Sequence, residues 1–127
     1  MKEDISIAET EWKIMEVLWR SPMQTIGEIK NNLAEQKWSD STIKTLVRRL
    51  TQKGALGFDD SKGHYRYYTL VNENKCKRKE TRNLINRIYH GSVKMLMANL
   101  VSDSDLSQAE IQKLMDIIDK IDGGDKL

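Results

Sequence analysis

Apolar residues recur with a helical period through the first part of the chain, alternate over a short middle stretch, and then return to the helical period. Ser6-Ile7-Ala8-Glu9 has the form of a capping box, in which a hydroxyl accepts from the third helical amide while the carboxylate reaches back. Behind it Ala8, Trp12, Met15, Val17, Leu18 and Trp19 supply the apolar side of a helix that ends near Arg20-Ser21-Pro22. Thr25-Ile26-Gly27-Glu28 is a second box and opens a shorter helix with Ile26, Ile29 and Leu33 inward. Ser39-Asp40-Ser41-Thr42 offers a third start, with Ser39 as the N-cap. Its helix carries Ile43, Leu46, Val47 and Leu50 at the i, i+3, i+4, i+7 spacing of a buried stripe, and Gly54 ends it.

The period then changes. Leu56-Gly57-Phe58 and His64-Tyr65-Arg66-Tyr67-Tyr68-Thr69-Leu70 flank Asp59-Asp60-Ser61-Lys62-Gly63, a run of turn formers. Aromatic and β-branched residues on either side of a polar loop predict a β-hairpin. Three helices followed by a two-stranded wing is the plan of a winged helix-turn-helix domain, which we assign to residues 1–73.

Past Val71 the pattern is helical again. A basic stretch from Lys75 to Arg82 leads into Leu84, Ile85, Ile88 and Tyr89, and Gly91 marks a break. Val93, Leu96, Met97 and Leu100 form a second stripe. Ser107-Gln108-Ala109-Glu110 caps a third, carrying Ile111, Leu114, Met115, Ile118 and Ile121. Three small amphipathic helices bury too little surface to stand alone. Residues 74–127 are therefore expected to form a helical dimerisation region, with Leu84, Ile88, Leu96, Met97, Leu100, Ile111, Leu114, Met115 and Ile118 at a homodimer interface. The expected fold class is mainly α with a small β-hairpin wing.

Composition narrows the class. No apolar run approaches the roughly 20 residues needed to span a bilayer, and Met1-Lys2-Glu3-Asp4 does not resemble a signal peptide, so a cytoplasmic protein without membrane insertion is expected. Cys76, the single cysteine, fits a reducing compartment. The net charge of +2 is unevenly placed: residues 1–37 carry five Lys/Arg against seven Asp/Glu, residues 38–82 eleven against five, and residues 83–127 five against seven. A middle segment of +6 is the footprint of a protein that meets a polyanion.

Catalytic and cofactor chemistry has no purchase. The chain has no Gly-rich phosphate loop and no serine elbow, and His64, His90 and Cys76 show no metal-ligand spacing. Neither an enzyme nor a cofactor or metal site is expected. The helix after Ser39 is the informative element. With its stripe inward, a step of about 100° per residue turns Ser41, Thr45, Arg48 and Gln52 outward, flanked by Thr42, Lys44 and Arg49. Short hydroxyls and long cations suit a helix that enters the major groove of double-stranded DNA. Lys62, His64 and Arg66 of the wing suit the neighbouring backbone. Tyr65, Tyr67 and Tyr68 are assigned to sheet and core packing, and Trp12, Trp19 and Trp38 to anchoring the helices.

These residues also resemble a known family. Ser6-Ile7-Ala8-Glu9-Thr10-Glu11-Trp12-Lys13-Ile14-Met15 with Leu18-Trp19 is similar to the opening helix of the BlaI/MecI penicillinase-repressor family. Ser39 to Leu46, with Arg49-Leu50 and Lys53-Gly54-Ala55-Leu56, resembles its recognition helix and exit. Tyr89-His90-Gly91-Ser92, Ala98-Asn99-Leu100, Leu106-Ser107 and Glu110-Ile111 resemble its dimerisation region. The resemblance implies a dimeric repressor of palindromic operators, inactivated when a membrane sensor-protease pathway triggers cleavage after an Asn. Here the matching pair is Asn99-Leu100, with Leu where the family commonly has Phe. Two other readings remain open from the residues: a winged-helix regulator with a small-molecule or metal effector, and a winged-helix module for protein contacts.

Overall fold

A computed structural model describes residues 5–103 and 107–124, the side chains of Asp103 and of residues 118–124 excepted. Leu106 and the side chains of Ile118 and Ile121 thus lie outside the described residues. The order of elements is α1 (Glu9–Arg20), α2 (Ile26–Asn32), a single 3₁₀ turn (Ala34–Gln36), α3 (Asp40–Lys53), β1 (Leu56–Asp59), β2 (Arg66–Thr69), α4 (Glu73–Tyr89), α5 (Val93–Asp103) and α6 (Gln108–Gly124). The chain divides into two compact units between Glu80 and Thr81. No described helix is long and apolar enough to cross a membrane.

The first unit is a winged helix. Ile14, Met15 and Leu18 of α1, Ile29 of α2, Ile43, Leu46, Val47 and Leu50 of α3, and Ala55 and Leu56 at the hairpin's root form one buried cluster. Ile14, Ile29, Ile43 and Leu50 are fully excluded from solvent. Burial of such a side chain contributes about 1.5–3 kcal/mol relative to exposure. The stripe predicted for α3 is thus its inner face.

Capping follows the sequence at two of the three starts. Thr25 Oγ1 accepts from Glu28 N at 3.2 Å, and Thr25 N donates to Glu28 Oε1 at 2.9 Å. Ser39 Oγ accepts from Thr42 N at 3.2 Å. The box expected at Ser6 is corrected. α1 is capped at Ala8, whose N–H donates to Glu11 Oε1 at 2.9 Å. Glu11 is buried because the same oxygen receives Lys53 Nζ from the end of α3 at 2.5 Å, and that ammonium also donates to Ser6 O at 2.8 Å. Held by Lys53 at the end of α3, Ser6 and Ile7 stay outside α1, which starts at Glu9. Gly54, at φ 87°, then turns the chain out of α3 toward β1.

The hairpin is antiparallel, with Leu56 opposite Thr69, Gly57 opposite Tyr68, Phe58 opposite Tyr67 and Asp59 opposite Arg66. Its loop is longer than expected, running from residue 60 to 65. A Cβ at Gly57 would sit 2.8 Å from the end of the Tyr68 ring, so a larger residue there must push that ring aside. A third segment joins the hairpin at one point. Tyr67 N donates to Gln24 O at 2.8 Å, and Gln24 N returns to Tyr67 O at 3.2 Å. Gln24 is itself buried, and its side chain is a polar clasp: Nε2 donates to Val17 O and Ser21 O at the end of α1, while Oε1 accepts from Asn32 Nδ2 of α2 at 2.7 Å. One residue thus connects two helices and the wing. Trp19 Nε1 adds a bond to Val71 O at 3.1 Å, and Trp19 meets Trp12 edge to face with centroids 5.4 Å apart.

α4 begins earlier than the apolar pattern suggested. Asn72 Oδ1 caps it by accepting from Lys75 N at 3.0 Å, so the basic stretch Lys75–Arg82 is helical. His90 and Gly91, both with positive φ, end α4. Ser92 caps α5 through Met95 N at 3.1 Å, and Ser107 caps α6 through Glu110 N at 3.2 Å.

Replacing Gln24 by Leu keeps the volume and removes three side-chain hydrogen bonds. We predict a loss of about 1–3 kcal/mol in urea unfolding. An unchanged midpoint would show that the clasp adds nothing to stability.

Candidate nucleic-acid interface

Because Ile43, Leu46, Val47 and Leu50 face the core, the opposite side of α3 is exposed. Ser41, Thr42, Lys44, Arg48, Arg49 and Gln52 are in solvent, and Thr45 is half-buried among them. No acidic residue follows Asp40 on this helix. Asp40 itself is held by Lys30 Nζ of α2 at 2.6 Å, and that contact keeps its carboxyl below the ordinary value. The one carboxylate of α3 is therefore held chiefly by Lys30, with a smaller attraction from Lys44 one turn on, and Arg48 and Arg49 follow with no acidic residue after them on the helix.

The wing stands beside this face. A cleft of about 750 Å³ opens between α2, α3 and the hairpin, with Lys44, Arg48, Thr51 and Gln52 on one wall and Phe58, His64, Tyr65 and Tyr67 on the other. Thr25, Ile26 and Gly27 at the start of α2 complete it. Of the residues assigned from sequence, Lys44, Arg48, Gln52 and His64 meet in this cleft, and Ser41, Thr42, Thr45 and Arg49 extend the same helix.

Lys62 and Arg66 line a separate depression, with Met23, Asp59 and Ser61. Lys62 is exposed. Arg66 is half-buried, and its Nη1 lies 3.5 Å from Glu28 Oε1. It ties the wing to the start of α2 and has less freedom than Lys62 to reach a phosphate. Glu28 is held below its ordinary carboxyl value chiefly by the Thr25 backbone N–H, then by the Thr25 side chain, with Arg66 adding a smaller share.

The tyrosines divide. Tyr67 packs on the core, and burial pushes its phenol up. Tyr65 packs on the hairpin and not on the core: its ring lies 4.9 Å from Phe58 and 6.5 Å from Tyr67, and it stays 53 % exposed, as Phe58 is 46 % exposed. The sequence reading missed that pair and the contribution of Thr25-Ile26-Gly27. The alternation along the hairpin carried the signal for Phe58, which shares a face with Leu56 and Tyr67, and the Tyr65 ring, from the loop, packs on Phe58 and Tyr67.

In the second unit Met97 and Ile85 are buried, and Leu84, Leu96, Ile111 and Leu114 are half-buried. Ile88, Leu100 and Met115 are exposed, and so are Met95, Val101 and Ile117. Asn99 and Leu100 lie inside α5, which continues to Asp103. Asn99 Nδ2 donates to the Tyr89 hydroxyl at 3.0 Å, and Asn99 O accepts from Ser102 Oγ at 3.1 Å. Among the described residues no three His, Cys, Asp or Glu side chains gather as a metal site.

Comparison with known proteins agrees with this geometry. A family model described as penicillinase repressor matches residues 7–120. The chain is 36% identical over 115 residues to the methicillin resistance regulatory protein MecI of Staphylococcus aureus (strain N315), covering 90% of this chain and 94% of that protein. It is 30% identical over 120 residues to a penicillinase repressor of Staphylococcus aureus (94% and 95% covered), and 27% identical over 121 residues to that of Bacillus licheniformis (94% of each). Among solved structures it is similar to the DNA binding domain of the repressor BlaI, with a TM-score of 0.52 and 29% identity, over 59% of this chain and 93% of that one.

The Glu28 contacts give a titration with a definite sign. A carboxyl depressed in the folded state stabilises the fold above its unfolded value, and that contribution is lost as pH falls through the lower folded value. Carboxyl NMR is expected to keep most of the depression in Arg66→Ala, because the Thr25 N–H is the larger cause. A return to the ordinary value would make the ion pair, not the cap, the principal cause.

Proposed function

This chain belongs to the penicillinase repressor family, and we propose that it is a homodimeric transcriptional repressor that reads a palindromic operator with α3 in the major groove. The observation that carries the reading is the outward face of α3, where hydroxyls and cations, with no acidic residue after Asp40, stand beside the wing cleft. The family is one of repressors and not of enzymes. By likeness to relatives named for methicillin resistance and penicillinase, the genes it controls are of the β-lactam-resistance kind.

Residues 1–73 bind DNA in this reading, and residues 74–127 pair two copies. Arg48, near the middle of the exposed face, forks onto guanine O6 and N7. Ser41, Thr42 and Thr45 supply short hydroxyls to base edges or phosphates. Lys44 and Arg49 on the flanks meet phosphate, as do Lys62 and, within the limits of its Glu28 contact, Arg66. Support for pairing comes from the apolar side chains that one copy leaves in water: Ile88, Met95, Leu100, Met115 and Ile117 are each about 40–54 % exposed. Leu84, Leu96, Ile111, Leu114 and Ile118 complete the proposed interface, while Met97 is already buried within one copy. Two copies hold their α3 helices about 34 Å apart, or a multiple of it, one for each half-site.

Release follows from cleavage after Asn99. The cut separates α6 from the rest of the second unit and removes part of the apolar surface that joins the copies. Since the bond lies within α5, a protease must first open the last turns of that helix.

Two measurements test the reading. Arg48→Ala is expected to relax preference at one base position at a cost of about 1–3 kcal/mol, while Lys44→Ala weakens all duplexes evenly. Loss of affinity that is equal for preferred and scrambled duplexes in both variants would reject that division. For release, mass spectrometry of the protein from β-lactam-treated host cells is expected to find a fragment ending at Asn99. An intact chain during full derepression would sink the cleavage step.

A further inference from the structure

We propose that the exposed aromatic pair Phe58–Tyr65 is a sugar-binding surface. One sugar–phosphate strand of the duplex runs through the cleft between α3 and the wing, with deoxyribose faces against the Tyr65 ring. This rests on the DNA-binding reading above and adds a contact of a different kind, apolar and independent of sequence.

The hairpin's own register raises the question. Leu56, Phe58 and Tyr67 lie on one face of the hairpin, and part of that face is used internally: Leu56 is buried and Tyr67, directly opposite Phe58, packs on the core. The rest, Phe58 with the ring of the loop residue Tyr65 laid against it, is not. Phe58 and Tyr65 have ring centroids 4.9 Å apart, yet each keeps about half of its surface in water. Two adjoining aromatic rings held half in solvent are a surface waiting for a partner.

The rest of the cleft says which partner. Lys44 and Arg48 line the opposite wall, His64 stands beside Tyr65, and no lining residue is acidic. The occupant must therefore be anionic and present apolar faces at short, regular intervals. A DNA strand meets both demands, because phosphates alternate with deoxyriboses that show C–H faces and carry no 2′-hydroxyl. Bases do not compete for the ring, since in a duplex they are paired and stacked and must be flipped out to reach it. An acidic protein segment is the other occupant of this general chemistry, and the test below separates it.

Apolar contact and phosphate contact differ in salt dependence. Each phosphate neutralised by a cation releases counterions and steepens the fall of affinity with salt; an aromatic ring on a sugar releases none. The experiment is fluorescence anisotropy of the full-length chain on a labelled mixed-sequence DNA duplex, from about 50 to 200 mM salt. We expect Tyr65→Ala to weaken binding about tenfold with the slope of log affinity against log salt unchanged, and Tyr65→Phe to bind like the parent. Lys44→Ala, by contrast, should flatten the slope by about one. Because Tyr65 is exposed, equal thermal melting of the variants is expected and shows that folding is intact. Three results would overturn the inference: Tyr65→Ala binding as well as the parent, as when a protein segment is the true occupant; a flattened slope in Tyr65→Ala; or Tyr65→Phe as weak as Tyr65→Ala, which would assign the contact to the hydroxyl. Failure of the parent chain to bind duplex with a steep salt dependence would instead refute the DNA-binding reading, and this inference with it.

Discussion

The rotation of α3 about its own axis is the constraint on which the site depends. Ile43, Leu46, Val47 and Leu50 are all buried, and about 1.5–3 kcal/mol for each opposes any turn that brings one of them to the surface. With that stripe inward, Ser41, Lys44, Arg48 and Gln52 have no other direction to face. The cations are thus aimed by hydrophobic packing on the opposite side of the helix and not by contacts of their own. Lys53 and Glu11 then anchor the far end of α3 to the start of α1, and Lys30 with Asp40 fixes the near end to α2.

The wing is held by a different kind of bond. A two-stranded hairpin alone is marginal, and this one gains a third partner at Gln24, whose backbone pairs with Tyr67 while its side chain ties α1 to α2. Arg66 and Glu28 add a second link between wing and α2. The cleft beside α3 therefore has two walls set by separate means, apolar burial for the helix and polar clasping for the hairpin. Their separation is what gives the cleft its width.

Much of this was legible in the residues. The α3 stripe, the Thr25, Ser39 and Ser107 caps, the hairpin and the Gly91 break all follow from local periodicity and capping chemistry, which operate within a few residues. What escaped depends on distant partners. The start of α1 moved from Ser6 to Ala8 because Glu11 answers Lys53, forty-two residues away. Gln24 gives no local signal and proves to be a buried clasp, since its partners lie on three other elements. Tyr65 reads like Tyr67, and only the length of the hairpin beyond the core puts one ring in water and the other under cover.

The central claim is that the outward face of α3 enters the major groove. Methylation interference tests it most directly, because the methyl group on guanine N7 projects into the major groove alone. On the duplex that the chain prefers, the account predicts that N7 methylation within each half-site blocks binding, in two clusters about one helical turn, or a multiple of it, apart. Undiminished binding to duplexes methylated at every guanine N7 within the protected region would contradict it.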